Sequence, residues 1–190
     1  MKGVSMSVGL ACKEWASVCA ALEEGKQTVL LRKGGIAEPL GEFQIPSPLF
    51  FLYPTFVHQN EGQLREPGWL EKGEKYFSTT GKAALSLLAR VEESVFLDSE
   101  MQADLLAKFH VLSKPCVQAR FAYSKPGLHA LLVRILRLSQ PIIIEETPEY
   151  AGCKSWVNLT SPLEASGQPV LDEPAFTKIT GDWRRIVRGI

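Results

Sequence analysis

The sequence predicts an α+β fold: a small mixed or mainly antiparallel sheet, or a partly closed β-barrel, flanked by helices. Three observations carry this reading. Runs of strand length fill the middle of the chain, helix-period segments stand near its ends, and the two kinds do not alternate as β-α-β units. A length of 190 residues suits one domain. It is taken as residues 1–190, with a long surface loop near residues 60–80 and a C-terminal helix over residues 172–188.

The elements follow in chain order. In "KEWASVCAALEEGKQ", Trp15, Val18, Cys19 and Leu22 recur at i, i+3, i+4 and i+7, the spacing of an amphipathic helix, and Gly25 is its stop. "QTVLLR" then reads as a strand leading into a Gly34–Gly35 turn. "GEFQI" reads as a short strand. "LFFLYPT" is a continuous apolar run of strand length closed by Pro54. Residues 60–75 are rich in Gly, Pro and Glu and read as loop.

"KAALSLLARVEESVFL" has the length of one long strand or two short ones, while its Ala and Leu content also allows a helix. "DSEMQADLLAKFH" reads as a short helix capped by Asp98 or Ser99. "CVQARFAY" sets Val117, Ala119 and Phe121 against Gln118 and Arg120, which is strand alternation. "GLHALLVRILRLSQPIII" reads as one strand and a second after Pro141, and "SWVNL" as another. The last helix starts near "DEPAFTKI", with Asp172 as its cap and Pro174 in its first turn.

Composition narrows the function classes only coarsely. Hydrophobic residues make up 45% and charged residues 22%, with a formal net charge of zero, so bulk charge selects no partner. No apolar run reaches about 18 residues, so no membrane-spanning helix and no membrane partner are expected, and the protein is read as cytoplasmic. Cys12, Cys19, Cys116 and Cys153 show no C-x-x-C spacing, and the three histidines lie far apart, so no metal site and no cofactor are expected. Cys12 and Cys19, seven apart, read as core residues on one helical face.

Charge is distributed unevenly. From Leu105 to Ile144 there is no Asp or Glu, while Lys108, Lys114, Arg120, Lys125, Arg134 and Arg137 lie in that span. Such segments form either one basic face for phosphate contact or ion pairs with the acidic stretches elsewhere.

No nucleotide-binding, hydrolase or metalloprotease signature occurs, and the sequence assigns no catalytic residue. The candidate ligand-binding set is therefore built from chemistry. Arg32, Lys33 and Gly34 end a strand with two cations and a glycine, which is either a phosphate cradle or a tight turn. Tyr53, Thr55, His58 and Gln59 follow a buried strand and form a polar cluster around a possible pocket. His58 is either a general base or base-edge reader, or a structural histidine. Arg120 and Arg134 would extend a basic face, and Trp156 would either stack on a planar ligand or cap the core.

The segments "KEWASVCAALEEGKQTVLLRKGGI", "FFLYPTFVHQ", "LVRILRL" and "PEYAGCKSWVNL" together resemble an uncharacterised bacterial family, domain-of-unknown-function family 1802, over roughly residues 10–188. That resemblance implies no activity. The helix with Trp15, the turn at Gly25 and the strand ending in Arg32 more distantly resemble the opening of ASCH domains, a branch of the PUA-like fold, whose pattern is G-x-K-x-x-E-x-R. Gly25 and Arg32 fit it, whereas Gln27 and Leu30 stand where Lys and Glu are expected. "HALLVRILRLSQPIII" is similar to the strand pair crossing PUA-like barrels, EVE domains included. This second resemblance implies a PUA-like barrel that binds RNA or a modified base in a cleft.

The expected function is binding of RNA, another nucleic acid or a nucleotide-like ligand through a basic cleft. Two alternatives stay open: an atypical metal-dependent phosphodiesterase, which needs clustered carboxylates near His58 or Lys33, and a non-catalytic protein-interaction module, which needs an exposed apolar patch or a homo-oligomer interface.

Overall fold

The computed structural model describes residues 5–33, 43–78 and 81–189. Among the described residues seven strands form one mixed sheet: β1 (Met6–Trp15), β2 (Val29–Arg32), β3 (Leu49–Thr55), β4 (Lys82–Leu97), β5 (Leu128–Glu145), β6 (Trp156–Ala165) and β7 (Gly167–Pro169). The α-helices described with them are α1 (Ala16–Glu23), α2 (Trp69–Gly73), α3 (Glu100–Leu105), α4 (Lys114–Ala122) and α5 (Glu173–Val187). The strand order is β2-β5-β4-β3-β1-β6, with β7 also on β5. Among the described strands only the β1–β3 pair is parallel. The α+β class and the mixed, mainly antiparallel sheet expected from the sequence are both present.

The sheet is buried on both faces, and this explains its unbroken apolar runs. Phe50 and Leu52 of β3 enter the larger core with α1, α4 and α5, while Phe51 and Tyr53, pointing the other way, enter a second core with Val8, Leu85, Tyr150 and Val157. "LFFLYPT" is thus a strand with no solvent face along most of its length. In β4 and β5 the distal halves turn to alternating burial as they leave the two-sided core.

Several expectations hold locally. Gly25 follows α1 with φ +68°, a left-handed conformation that favours glycine. Ser99 caps α3 by accepting from the Gln102 N–H. Asp172 caps α5 by accepting from Ala175 N–H at 2.8 Å, with Pro174 in the first turn.

Others are corrected. Residues 114–122 form helix α4, not the strand that alternation suggested: the Ser113 hydroxyl accepts from Cys116 N–H and Pro115 occupies the first turn. Cap and proline chemistry outweigh an eight-residue alternation that fits either period. The first helix begins only at Ala16, because Met6–Trp15 is strand β1; Cys12 and Cys19 therefore lie on different elements, each fully buried. Residues 128–145 make one strand rather than two. Pro141 falls where the β4–β5 register slips between Arg137 and Ile142, a break that spares the missing N–H.

Of "GEFQI", Phe43, Gln44 and Ile45 are not in a strand, and residues 41–42, like the Gly34–Gly35 turn, lie outside the described residues. The segment from Asn60 to Lys75 is not plain loop. It carries a 3-10 turn at Glu61–Gln63, helix α2 and the start of a second 3-10 turn, with Leu64 and Trp69 buried. Among the described residues no helix is long and apolar enough to cross a membrane.

Candidate functional site

β1 and β2 lie far apart in the strand order, yet the sheet curls until their ends meet. Arg32, the last residue of β2, donates from Nη1 to the Lys13 carbonyl at 3.0 Å and to Glu14 Oε2 at 3.1 Å. The other Glu14 oxygen accepts from the Trp15 N–H at 2.9 Å, so both carboxylate oxygens are engaged. At this junction the ends of β1, β2 and β3, the side of α4 and the Gly152–Ser155 segment enclose a cleft of about 310 Å³.

The cleft is strongly cationic. Lys13, Arg32, Lys33, Arg120 and Lys154 line it against one carboxylate, Glu14, so five positive charges face one negative. What holds these cations in place matters as much as their number. Lys33 Nζ donates to the carbonyls of Phe121 at 2.9 Å, Gly127 at 2.7 Å and Lys125, closing the C-terminal end of α4. Arg120 donates to the Leu31 carbonyl at 3.2 Å and lies 4.2 Å over the Trp15 ring. Lys13 donates to the Gly152 carbonyl at 3.0 Å, and Lys154 to the Glu149 carbonyl. Carbonyls orient a cation without cancelling its charge. Burial, and after it the neighbouring Lys154, lowers the Lys13 pKa below the ordinary lysine value. Burial lowers that of Lys33 as well.

Most cations elsewhere among the described residues are neutralised, although Arg65 donates to the Ala107 carbonyl. Arg134 pairs with Glu173 at 2.7 Å and Glu92 at 3.4 Å, Arg137 with Glu23, Lys108 with Asp182, Lys114 with Asp104 and Arg184 with Glu93. The acid-free span therefore does not form one continuous basic face. Its cations pair mostly with the acidic segments, and of Arg120 and Arg134, the two arginines expected to extend a basic face, Arg120 alone reaches the cleft.

The candidate residues divide accordingly. Arg32, Lys33, Thr55, His58 and Arg120 come together around the cleft. Thr55 donates to the Glu14 carbonyl at 3.2 Å, and His58 is exposed at the rim with φ +63°. Tyr53 is buried on the other face, where its hydroxyl donates to Glu146. Gln59 accepts from the Ser17 N–H and hydroxyl, which caps the start of α1. Trp156 donates to the Gln44 carbonyl at 2.8 Å and packs on Phe43 and Phe50, so it caps the core. Gly34 lies outside the described residues.

Sequence reasoning missed Lys13, Glu14, Trp15 and Lys154. The first three were absorbed into a helix that starts later, and Trp15, placed on that helix's apolar spacing, lines the cleft as an aromatic wall. Among the described residues no three His, Cys, Asp or Glu side chains gather as metal ligands, so the phosphodiesterase alternative lacks its carboxylate cluster there.

The sequence profile of a family described as Domain of unknown function (DUF1802) matches residues 11–182. No curated protein matches the chain. Among solved structures, the ASCH protein from Zymomonas mobilis is similar at 16% identity, covering 90% of this chain and 93% of that one, with a TM-score of 0.42. A tyrosine-to-phenylalanine variant of that protein gives 14% identity, 90% and 96% coverage and a TM-score of 0.44.

Proposed function

We propose, for a chain that belongs to the family described as Domain of unknown function (DUF1802), that the cleft at the β1–β2 junction binds nucleic acid or a nucleotide-like ligand through its phosphates, in the cytoplasm. One observation carries the reading: five cations anchored on neutral carbonyls or beside a single buried carboxylate line one cleft, whereas most cations elsewhere pair with carboxylates. A phosphate entering this cleft meets uncompensated positive charge that is already oriented, so little ordering cost opposes binding. Trp15, with Arg120 over one side of its ring, adds a planar wall of the kind that bases stack on.

The test is fluorescence anisotropy with a labelled ten-nucleotide single-stranded RNA at several salt concentrations. With three or four phosphates seated, log affinity falls against log salt with a slope of about −2 to −3. Absent binding, or binding indifferent to salt, overturns the proposal.

A further inference from the structure

The end of β3 is a wall with a different surface on each side. Thr55 and Val57 line the cationic cleft, whereas Pro54 and Phe56 line a separate groove of about 260 Å³. Alternating side chains at the end of a strand produce this arrangement directly. Tyr76, Phe77, Lys82, Ala83 and Glu146 are among the other residues that line it.

Two aromatic side chains stand exposed there. Phe77 is 68% exposed and Phe56 39%, and their rings meet edge to face with centroids 5.7 Å apart. Phe77 gains little by burial, and the two roughly perpendicular rings leave an exposed apolar surface at the groove on which a planar guest can stack. Glu146 borders this surface; its Oε1 accepts from the Tyr53 hydroxyl, which leaves Oε2 as an acceptor.

We infer that the Phe56–Phe77 groove is a stacking subsite for an unpaired base of a single-stranded nucleic acid whose phosphates occupy the cationic cleft across the residue 54–57 wall. The inference rests on the proposed function and adds the ligand's form: single-stranded, with more than one nucleotide. The continuity of the two surfaces through four consecutive residues selects this occupant. A strand draped over the wall places phosphate on the cationic side and base on the aromatic side. A duplex keeps its bases stacked on one another and cannot offer one to the groove. The Glu146 acceptor suits a base with an exocyclic amine, so adenine is the base for the probe.

The experiment compares wild type, Phe77→Ala and Phe56→Ala in binding three probes: AMP, the hexanucleotide r(A)6 and a twelve-base-pair RNA duplex. Thermal melts confirm folding, which Phe77→Ala leaves intact because its side chain is exposed. Wild type binds r(A)6 more tightly than AMP or the duplex. Phe77→Ala weakens r(A)6 roughly 5- to 100-fold and leaves AMP within twofold.

Unchanged r(A)6 binding by both variants overturns the inference while the proposed function stands. So does an equal loss for AMP and r(A)6, or a duplex bound as tightly as r(A)6. Loss of self-association in Phe77→Ala with unchanged RNA binding assigns the groove to protein contact and likewise overturns it. If wild type binds no probe, the proposed function fails and the inference with it.

Discussion

Arg32 and Glu14 form a buried ion pair, Nη1 to Oε2 at 3.1 Å, that ties the end of β2 to the end of β1 across the curl of the sheet. Their side chains are 12% and 3% exposed, so water does little to screen or replace the contact. Arg32 thus does two things at once. It bridges the ends of two strands that do not pair, and it supplies one of the cleft's cations.

Removing one partner strands the other as a buried charge. Arg32→Met is expected to destabilise the fold by about 3–5 kcal/mol in urea titrations. The double variant Glu14→Gln/Arg32→Met recovers a good part of that loss, since no lone charge remains. A double variant no more stable than Arg32→Met contradicts this account.

Cleft cations held by carbonyls should act on ligand rather than on stability. Lys13→Ala and Lys154→Ala are each expected to weaken binding of single-stranded RNA and to make the salt slope shallower by about 0.7. Arg134→Ala, whose guanidinium is neutralised by Glu92 and Glu173, leaves both affinity and slope unchanged. Anisotropy titrations on the three variants separate the two classes.

His110 sets an acid limit on stability. Its ring is buried, neither nitrogen has a well-formed hydrogen bond among the described residues, and the Leu112 backbone offsets little of this. Burial first, then the charges of Arg65 and Arg120, lower its pKa from the ordinary 6.5 to about 4. The folded ring stays neutral while the unfolded chain takes up a proton between those values. This contribution is intact above about pH 6.5 and is lost as pH falls toward 4, by on the order of 3 kcal/mol. Urea midpoints at pH 7, 5 and 4 should fall more steeply for wild type than for His110→Leu, and parallel curves refute the assignment.

Two helical glycines should respond with opposite sign. A Cβ at Gly73 in α2 meets the backbone of α1, 2.8 Å from the Ala16 carbonyl carbon and 2.9 Å from the Ser17 nitrogen. Gly73→Ala is expected to cost about 1–3 kcal/mol. At Gly181 in α5 nothing lies within 4 Å of such a carbon, so Gly181→Ala gains up to about 1 kcal/mol. Calorimetric melting temperatures check both signs.

Much of the fold was legible because its signals are local. "LFFLYPT", the Ser99 and Asp172 caps and the Gly25 stop each act within a few residues. Residues 114–122 failed because alternation was weighed above the Ser113 cap and Pro115. Strand β1 went unseen because its apolar residues serve both cores, which leaves no single-face period to read.

The candidate site was legible only in part, for a different reason. Arg32, Lys33, Thr55, His58 and Arg120 were named from residue chemistry, and they do meet. The same chemistry named Arg134, Gln59 and Trp156, which the fold spends on an ion pair, a helix cap and a core contact. A cation's residue type is written in the sequence, but its partner is not.

The sequence by itself determined where the chain turns, where helices are capped and which strands must be buried, because those depend on neighbours along the chain. Tertiary structure alone decided which cations keep their charge uncompensated. That depends on whether the fold brings each one to a carboxylate, as with Arg134 and Glu173, or to a neutral carbonyl, as with Lys33 and Gly127.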